Sequence, residues 1–347
     1  MKTGRIVLLA AAIASLGSAV ARAETMDQLY QKAKSEGALL FYSGGPVEPY
    51  ERWAQEFMAK FPGITVKVEG GFSNVLDSKI NQQIAAKKME VDMALLQTAQ
   101  DYVGWKKEGA LIRFRPEGAE KIDKRFRDKE EMFWPTSVVL LSYAYNTNAL
   151  KPNEVPKSAL DFLKPQLAGK IVTAYPADDD ATLFVFNDIV KKYGWDYMKK
   201  YMANKPNFIQ GHLGELKSIA DGTNAVTFDA TNSTTGALKK AGQPIEFAFP
   251  TSDVMPTFFI TAGIFKGAPH PNAAKLFLTW YLAKDQQSRT GSFSARSDVP
   301  PPPGLKPLSS YKIDAGYRQF VSDKNIAALR KRFESYTGPV VNKGGVR

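Results

Sequence analysis

The chain has 347 residues, no cysteine, two histidines and a formal net charge of +11. That length suits two domains, and the missing cysteines exclude disulfides, thiol chemistry and cysteine-ligated zinc. Basic and acidic residues are interspersed, with neither a basic stripe nor a recognition motif, so nucleic acid is not an expected partner. Residues 1–23 begin with Lys2 and Arg5, continue through an apolar core and end Ala-Arg-Ala. This pattern predicts a cleaved secretory signal, and no later segment is apolar enough to span a bilayer. The exported part then carries +8.

Residues 24–37 predict an amphipathic helix ended by Gly37. The run 38–42 (ALLFY) predicts a buried strand, broken by Ser43-Gly44-Gly45-Pro46. A helix over 49–61 places Trp53, Phe57, Met58 and Phe61 at helical spacing. Pro62-Gly63 stops it, and 65–69 alternates as a strand. Gly70-Gly71 turns the chain into a second helix, which Ser73 or Asn74 can cap, with Leu76, Ile80 and Ile84 on one face. Residues 91–96 form a third strand, followed by Gln97-Thr98 and a helix ending at Gly109. Strand–helix repetition of this kind builds an open α/β sheet, whose ligands sit at the strand carboxyl ends beside helix N-termini. Ser43, Gly44, Gly45, Ser73, Asn74, Gln97 and Thr98 occupy such positions. The competing reading of the glycines is turn chemistry alone.

Two long β runs follow, at 138–145 and 258–265. Between them lie helices over 160–167, 181–193, 195–202, 215–220 and 234–240, and strands at 171–172, 225–228 and 245–249. After the second run come a helix over 272–282, a stiff Pro300–Pro303 stretch and a basic helix near 325–336. Paired long strands around an α/β middle predict two lobes: 24–138 with 258–299, and 139–257. The segment 300–347 would pack on both. A cleft between such lobes closes on its ligand by hinge motion.

The ordered landmarks LLFYSGG, FPGITVKV, GGFSNVLDSKI, VDMALLQ, EGAL, YAYNTNAL, LAGKI, PNAAKLFLTWYLAKDQQ and SARSDV resemble the bacterial extracellular solute-binding proteins of ABC importers. The likeness is greatest to the periplasmic ferric-ion-binding group and covers roughly 38–299. It implies a periplasmic protein of the α/β, type II periplasmic-binding-protein fold, with two sheets flanked by helices and two hinge crossings. It further implies a small-molecule solute and an inner-membrane permease as partners. A membrane sensor is an alternative partner, and a monomer is expected. The iron-binding members use a histidine in the first loop, a glutamate after the third strand and adjacent tyrosines in the second lobe. Here those places read SGGPVEPY, Gln97 and FDATNSTTG, and His212 and His270 fall in no expected ligand loop. Bare ferric iron, which takes hard anionic oxygens, is therefore disfavoured, and no cofactor or metal is expected.

In the second lobe, Asp178, Asp179 and Asp180 precede a helix, and Asp229, Thr231 and Asn232 follow a strand. Acids lining a cleft favour an amine, a guanidinium or a metal ion, which points to a cationic or zwitterionic organic solute. The bland alternative is helix capping. Tyr42, Phe72, Trp134 and Tyr143 are candidates for stacking on the solute, Tyr143 foremost. Asp229→Ala and Asp179→Ala are expected to weaken binding without unfolding the chain. A secreted metal-dependent hydrolase is the competing function class, but no nucleophile elbow, HExxH or plausible serine–histidine–aspartate set is present.

Overall fold

Strand and helix alternate from the first turn of the computed structural model, which describes residues 24–45 and 47–341. The expected leader at 1–23 lies outside the described residues. The strands are β1 (Ala38–Gly44), β2 (Thr65–Gly71), β3 (Met93–Leu96), β4 (Phe133–Asn146), β5 (Val172–Ala174), β6 (Asn207–Ile209), β7 (Val226–Thr231), β8 (Ile245–Ala248), β9 (Met255–Ile264) and β10 (Ile313–Asp314). The helices are α1 (Met26–Glu36), α2 (Glu48–Lys60), α3 (Ser73–Ala85), α4 (Ala99–Lys107), α5 (Asp180–Tyr193), α6 (Asp196–Ala203), α7 (His212–Ala220), α8 (Asn232–Lys240), α9 (Pro271–Tyr281), α10 (Lys284–Gln287), α11 (Tyr317–Val321) and α12 (Ile326–Thr337). Among the described residues, no helix is long and apolar enough to cross a membrane.

β1 lies between β2 and β3, parallel to both, with Phe41 opposite Val68 and Met93. β9 runs antiparallel beside β3, and β4 antiparallel beside β9. β4 then changes partners. Leu140 pairs with Thr257 of β9, Leu141 with Thr231 of β7 and Tyr143 with Ala248 of β8. The two expected long strands are thus the crossings, and through them the sheets of both lobes run together in the order β2-β1-β3-β9-β4-β7. β5 and β6 extend the second lobe, joined by a parallel bridge from Ile171 to Val226.

One apolar core gathers Phe41, Phe57, Trp134, Phe259, Phe277 and Trp280 beneath the first lobe. A second gathers Tyr143, Phe162, Phe184, Phe186, Tyr201 and Phe228. The chain after residue 310 completes that second core. Tyr317 is fully buried against Phe184 and Phe258, and Phe333 packs against Phe186 and Trp195. β10 adds to β9 through Ile313 and Met255. Burial of aromatic faces on this scale, at roughly 25 cal/mol per Å², explains why the weakly patterned stretch 317–337 packs on the second core.

Candidate functional site

The strand ends of the first lobe meet in a tight knot. Ser43 is fully buried at the end of β1, paired across the ladder with Gly70 and Leu95. A Cβ on Gly44 would lie 2.3 Å from Ser73 Oγ, so only glycine lets α3 start this close to β1. The Gln97 N–H donates to Ser73 Oγ at 3.4 Å, which ties the β3–α4 loop to the start of α3. Thr98 is buried at the start of α4. Gly45 is exposed, in a left-handed conformation (φ 85°), and its N–H donates to the Gly71 carbonyl at 2.9 Å. Asn74 is exposed on the first turn of α3.

In the second lobe, Asp179 caps α5, its Oδ1 accepting from the Ala181 and Thr182 N–H groups at 2.8 and 2.9 Å. The same oxygen lies 3.4 Å from His212 Nε2, at the start of α7. Burial opposes ionisation of Asp179, but His212 and the two backbone donors outweigh it and bring its pKa down to about 2. Burial likewise opposes protonation of His212, yet Asp179 outweighs it and holds the imidazole well above its ordinary value. Asp178 accepts from Gln210 Nε2 at 2.9 Å. Asp180 accepts from Gln100 Nε2 of the first lobe at 3.0 Å and pairs with Arg330 on α12. Each of the three acids is engaged within the chain.

These contacts close a circuit. Ser73 joins α3 to the loop before α4, Gln100 joins α4 to α5, and Asp178 and Asp179 join α5 to α7. Across the gap, a Cβ on Gly211, which precedes α7, would come 3.7 Å from the ring of Phe72, which precedes α3. Phe72 itself is 46% exposed. Among the described residues, no side chain caps α3, α4, α7 or α8. At α4 the Ala99 N–H donates instead to the Gln97 carbonyl at 2.8 Å, whereas the starts of α3, α7 and α8 offer N–H groups with no side-chain acceptor, where the helix dipoles favour negative charge.

The remaining expected site residues are placed differently. Asp229 is fully buried and faces inward. Its Oδ2 accepts from the Thr173 and Thr182 hydroxyls at 3.1 and 2.9 Å and from the Ala174 N–H at 3.3 Å, and its Oδ1 from the Thr227 hydroxyl at 2.6 Å. Thr231 and Asn232 begin α8, and Asn232 Oδ1 accepts from the Leu140 N–H at 3.3 Å, at the point where β4 changes lobes. Tyr143 stands apart from the circuit, its hydroxyl donating to Asp253 at 3.2 Å. It lines a cavity of about 260 Å³ with Asp188, Lys192, Tyr193 and Asp253. None of the circuit residues lines that cavity, so filling it would not couple the two lobes.

His212 was expected to fall outside the ligand loops, and it stands on the circuit. The signal was present as His212-Leu213-Gly214-Glu215, an i, i+3 pair that shares one face once the helix starts at His212 rather than at Glu215.

At the lip of the gap, burial pushes Asp101 up to about 7, and the carboxylates of Asp77 and Asp180 add to the shift. In the unfolded chain the group titrates near 3.8. Between those values the native state binds the extra proton, so stability falls as pH rises through this window. Asp101→Asn removes that dependence. The variant is expected to be on the order of 2 kcal/mol more stable at pH 8 and equal to the parent near pH 4. Urea unfolding at both values checks this, and a gain independent of pH contradicts it.

A family model described as "Bacterial extracellular solute-binding protein" matches residues 52–318. An uncharacterised protein of Haemophilus influenzae is 24% identical over 192 residues, covering 52% of this chain. The match spans 54% of that relative, so the chain covers about half the length of the curated relative it matches. Iron-bound HitA of Pseudomonas aeruginosa superposes with a TM-score of 0.71 at 18% identity, covering 85% of this chain and 99% of the other. The periplasmic binding protein AfuA of Actinobacillus pleuropneumoniae, with fructose-6-phosphate bound, gives 0.70 at 19% identity, covering 86% and 98%. The fold is the two-lobed type II arrangement these structures share.

Proposed function

Because the chain belongs to the bacterial extracellular solute-binding proteins, we propose that it captures a small organic solute between its lobes by an anionic group and delivers it to an ABC permease from the periplasm. The observation that carries this reading is the facing pair of helix starts at Phe72 and Gly211, both without a side-chain acceptor. The aspartates that suggested a cation are neutralised internally: Asp179 by His212 and two N–H groups, Asp180 by Arg330 and Gln100. What remains for a guest is a set of N–H donors and an exposed aromatic ring. A carboxylate or phosphate suits the donors, and Phe72 suits an apolar or ring-shaped remainder.

Lobe 1 comprises 24–138 with 258–299 and lobe 2 comprises 139–257, with β4 and β9 as the hinge and the chain after 300 riding mainly on lobe 2. The solute touches both walls, so it binds the closed form better than the open one. Secretion through the leader at 1–23, action as a monomer and the lack of catalysis belong to the same reading. An iron carrier fits less well, because the segment at 228–236 holds no tyrosine and the nearby acids are engaged.

The test is a thermal-shift panel on ligand-stripped protein: sugar phosphates, phosphonates and carboxylates against polyamines, thiamine-like cations, amino acids and ferric citrate. Anionic compounds are expected to stabilise the native state in proportion to occupancy. Asn74→Asp, an exposed change that sets a carboxylate in the first turn of α3, is expected to weaken the best hit about two- to fivefold at low salt. Stabilisation by cations alone, or an unaltered affinity in Asn74→Asp, overturns the anionic reading.

A further inference from the structure

Behind the second-lobe wall of the cleft, three ligating side chains converge. His212 and Glu215 lie one turn apart on α7, and β7 sets Asp229 beside them. A histidine nitrogen and one carboxylate oxygen from each acid all lie within 4.8 Å of one another. Glu215 and Asp229 are completely buried. Asp229 is surrounded by donors, but among the described residues neither oxygen of Glu215 has a hydrogen-bond partner. His212 Nδ1 is 3.3 Å from Glu215 Oε2 but is not aligned for a hydrogen bond. Two enclosed carboxylates this close repel, and an unpaired buried charge is costly.

The opposite edge of the imidazole supplies the second part of the argument. Nε2 faces Asp179 Oδ1 at 3.4 Å. Neither ring nitrogen is aligned for a hydrogen bond; once an ion displaces the Nδ1 proton, the remaining Nε2–H lies on the Asp179 side, the arrangement in which a carboxylate orients a metal-binding histidine. We propose that His212 Nδ1, Glu215 and Asp229 hold a divalent transition-metal ion of the zinc class, with Asp179 as the positioning residue. One imidazole and two carboxylates suit zinc, which takes three protein ligands plus water. Magnesium and calcium prefer all-oxygen shells. Donors at about 2.1 Å from a tetrahedral ion stand about 3.4 Å apart, so the three side chains draw in by roughly an ångström on binding. The site does not depend on the identity of the transported solute.

The experiment titrates chelator-treated protein with Zn²⁺, Mg²⁺ and Co²⁺. Zn²⁺ is expected to bind one per chain and raise Tm, Mg²⁺ to do neither, and Co²⁺ to give the intense visible bands of a tetrahedral site. Glu215→Gln keeps the side-chain volume and is expected to weaken Zn²⁺ binding more than about 100-fold, and Asp179→Asn about tenfold, with circular dichroism confirming the fold of each. If Glu215→Gln fails to fold, the Co²⁺ spectrum of the parent and the Asp179→Asn affinity decide. Absence of one-to-one Zn²⁺ binding, an unchanged affinity in the variants or an octahedral Co²⁺ spectrum overturns the site. A protein that answers the anionic panel yet ignores Zn²⁺ and Co²⁺ loses the metal site and keeps the carrier function.

Discussion

Asp229→Ala is expected to cost about 3–5 kcal/mol of folding stability and to impair solute binding only through that loss. Three threonine hydroxyls and one backbone N–H converge on this carboxylate, from β5, α5 and β7. Removing an acceptor from a buried donor costs about 1–3 kcal/mol per group. Hydroxyls can rotate toward other acceptors, so the lower end applies to the threonines. Relief of repulsion with Glu215 works in the opposite direction, since burial and Asp229 together hold Glu215 well above the usual carboxylate range. The net remains a loss, because Thr173, Thr182 and Thr227 are themselves buried. Asp229→Asn keeps one acceptor oxygen and is expected to cost roughly half as much. Urea unfolding in chelator at pH 7 reads the difference. A loss below about 1 kcal/mol with binding abolished would instead return Asp229 to the cleft wall, where its position after a strand had placed it.

Local chemistry explains what was legible in the sequence. β1, α2, β2 and α3 follow directly from 38–84 because glycine and proline punctuate each junction and the apolar spacing changes with each element. Asp179 was open to reading as a cap, and it is one. Other features depend on contacts distant in sequence. β4 begins at Phe133, before the run that its apolar pattern marks, because Pro135 looks like a break. In the fold, Pro135 lies at a register shift between β4 and β9, where a strand tolerates a missing donor. The first turn of α7 is hidden because Gly211 and Gly214 interrupt any apolar period, and with it the His212–Glu215 pair goes unseen. α11 is five residues long, too short to show a period. Its Tyr317 is ordered by Phe184 and Phe258, two residues no local pattern connects to it. The charge of the candidate cleft is the sharpest case. Three consecutive aspartates predict a negative wall only while their partners are unknown, and those partners lie 32–150 positions away in His212, Gln210, Gln100 and Arg330.

Arg330 is the most remote of these partners, and its replacement carries the second large expected effect. Its Nη1 donates to the Ala177 carbonyl at 2.9 Å, and its Nη2 pairs with Asp180 Oδ1. The Asp180 side chain is only 11% exposed, and its other oxygen holds Gln100 of the opposite lobe. Arg330→Ala leaves that carboxylate with one neutral donor and is expected to cost about 3 kcal/mol at pH 7. The sign with pH follows from the titration of Asp180. Burial already raises its pKa above 3.8, and Arg330 is the chief influence pulling it down. Without Arg330 the folded-state value climbs further, so the deficit is largest at neutral pH, where the unfolded carboxylate is ionised. It shrinks as pH falls through 4 and vanishes well below 3.8, where both states hold the proton. Asp180→Asn in the Arg330→Ala background should recover most of the loss, and the double-mutant cycle isolates the coupling between the two charges. Because Asp180 also links the lobes through Gln100, the single variant is expected to shift the open–closed balance along with Tm, read as a change in radius of gyration by small-angle scattering. An Arg330→Ala protein with unchanged Tm at pH 7, or a deficit that grows on acidification, would mean that the C-terminal helix merely rests on the second lobe and takes no part in setting the charge of the cleft.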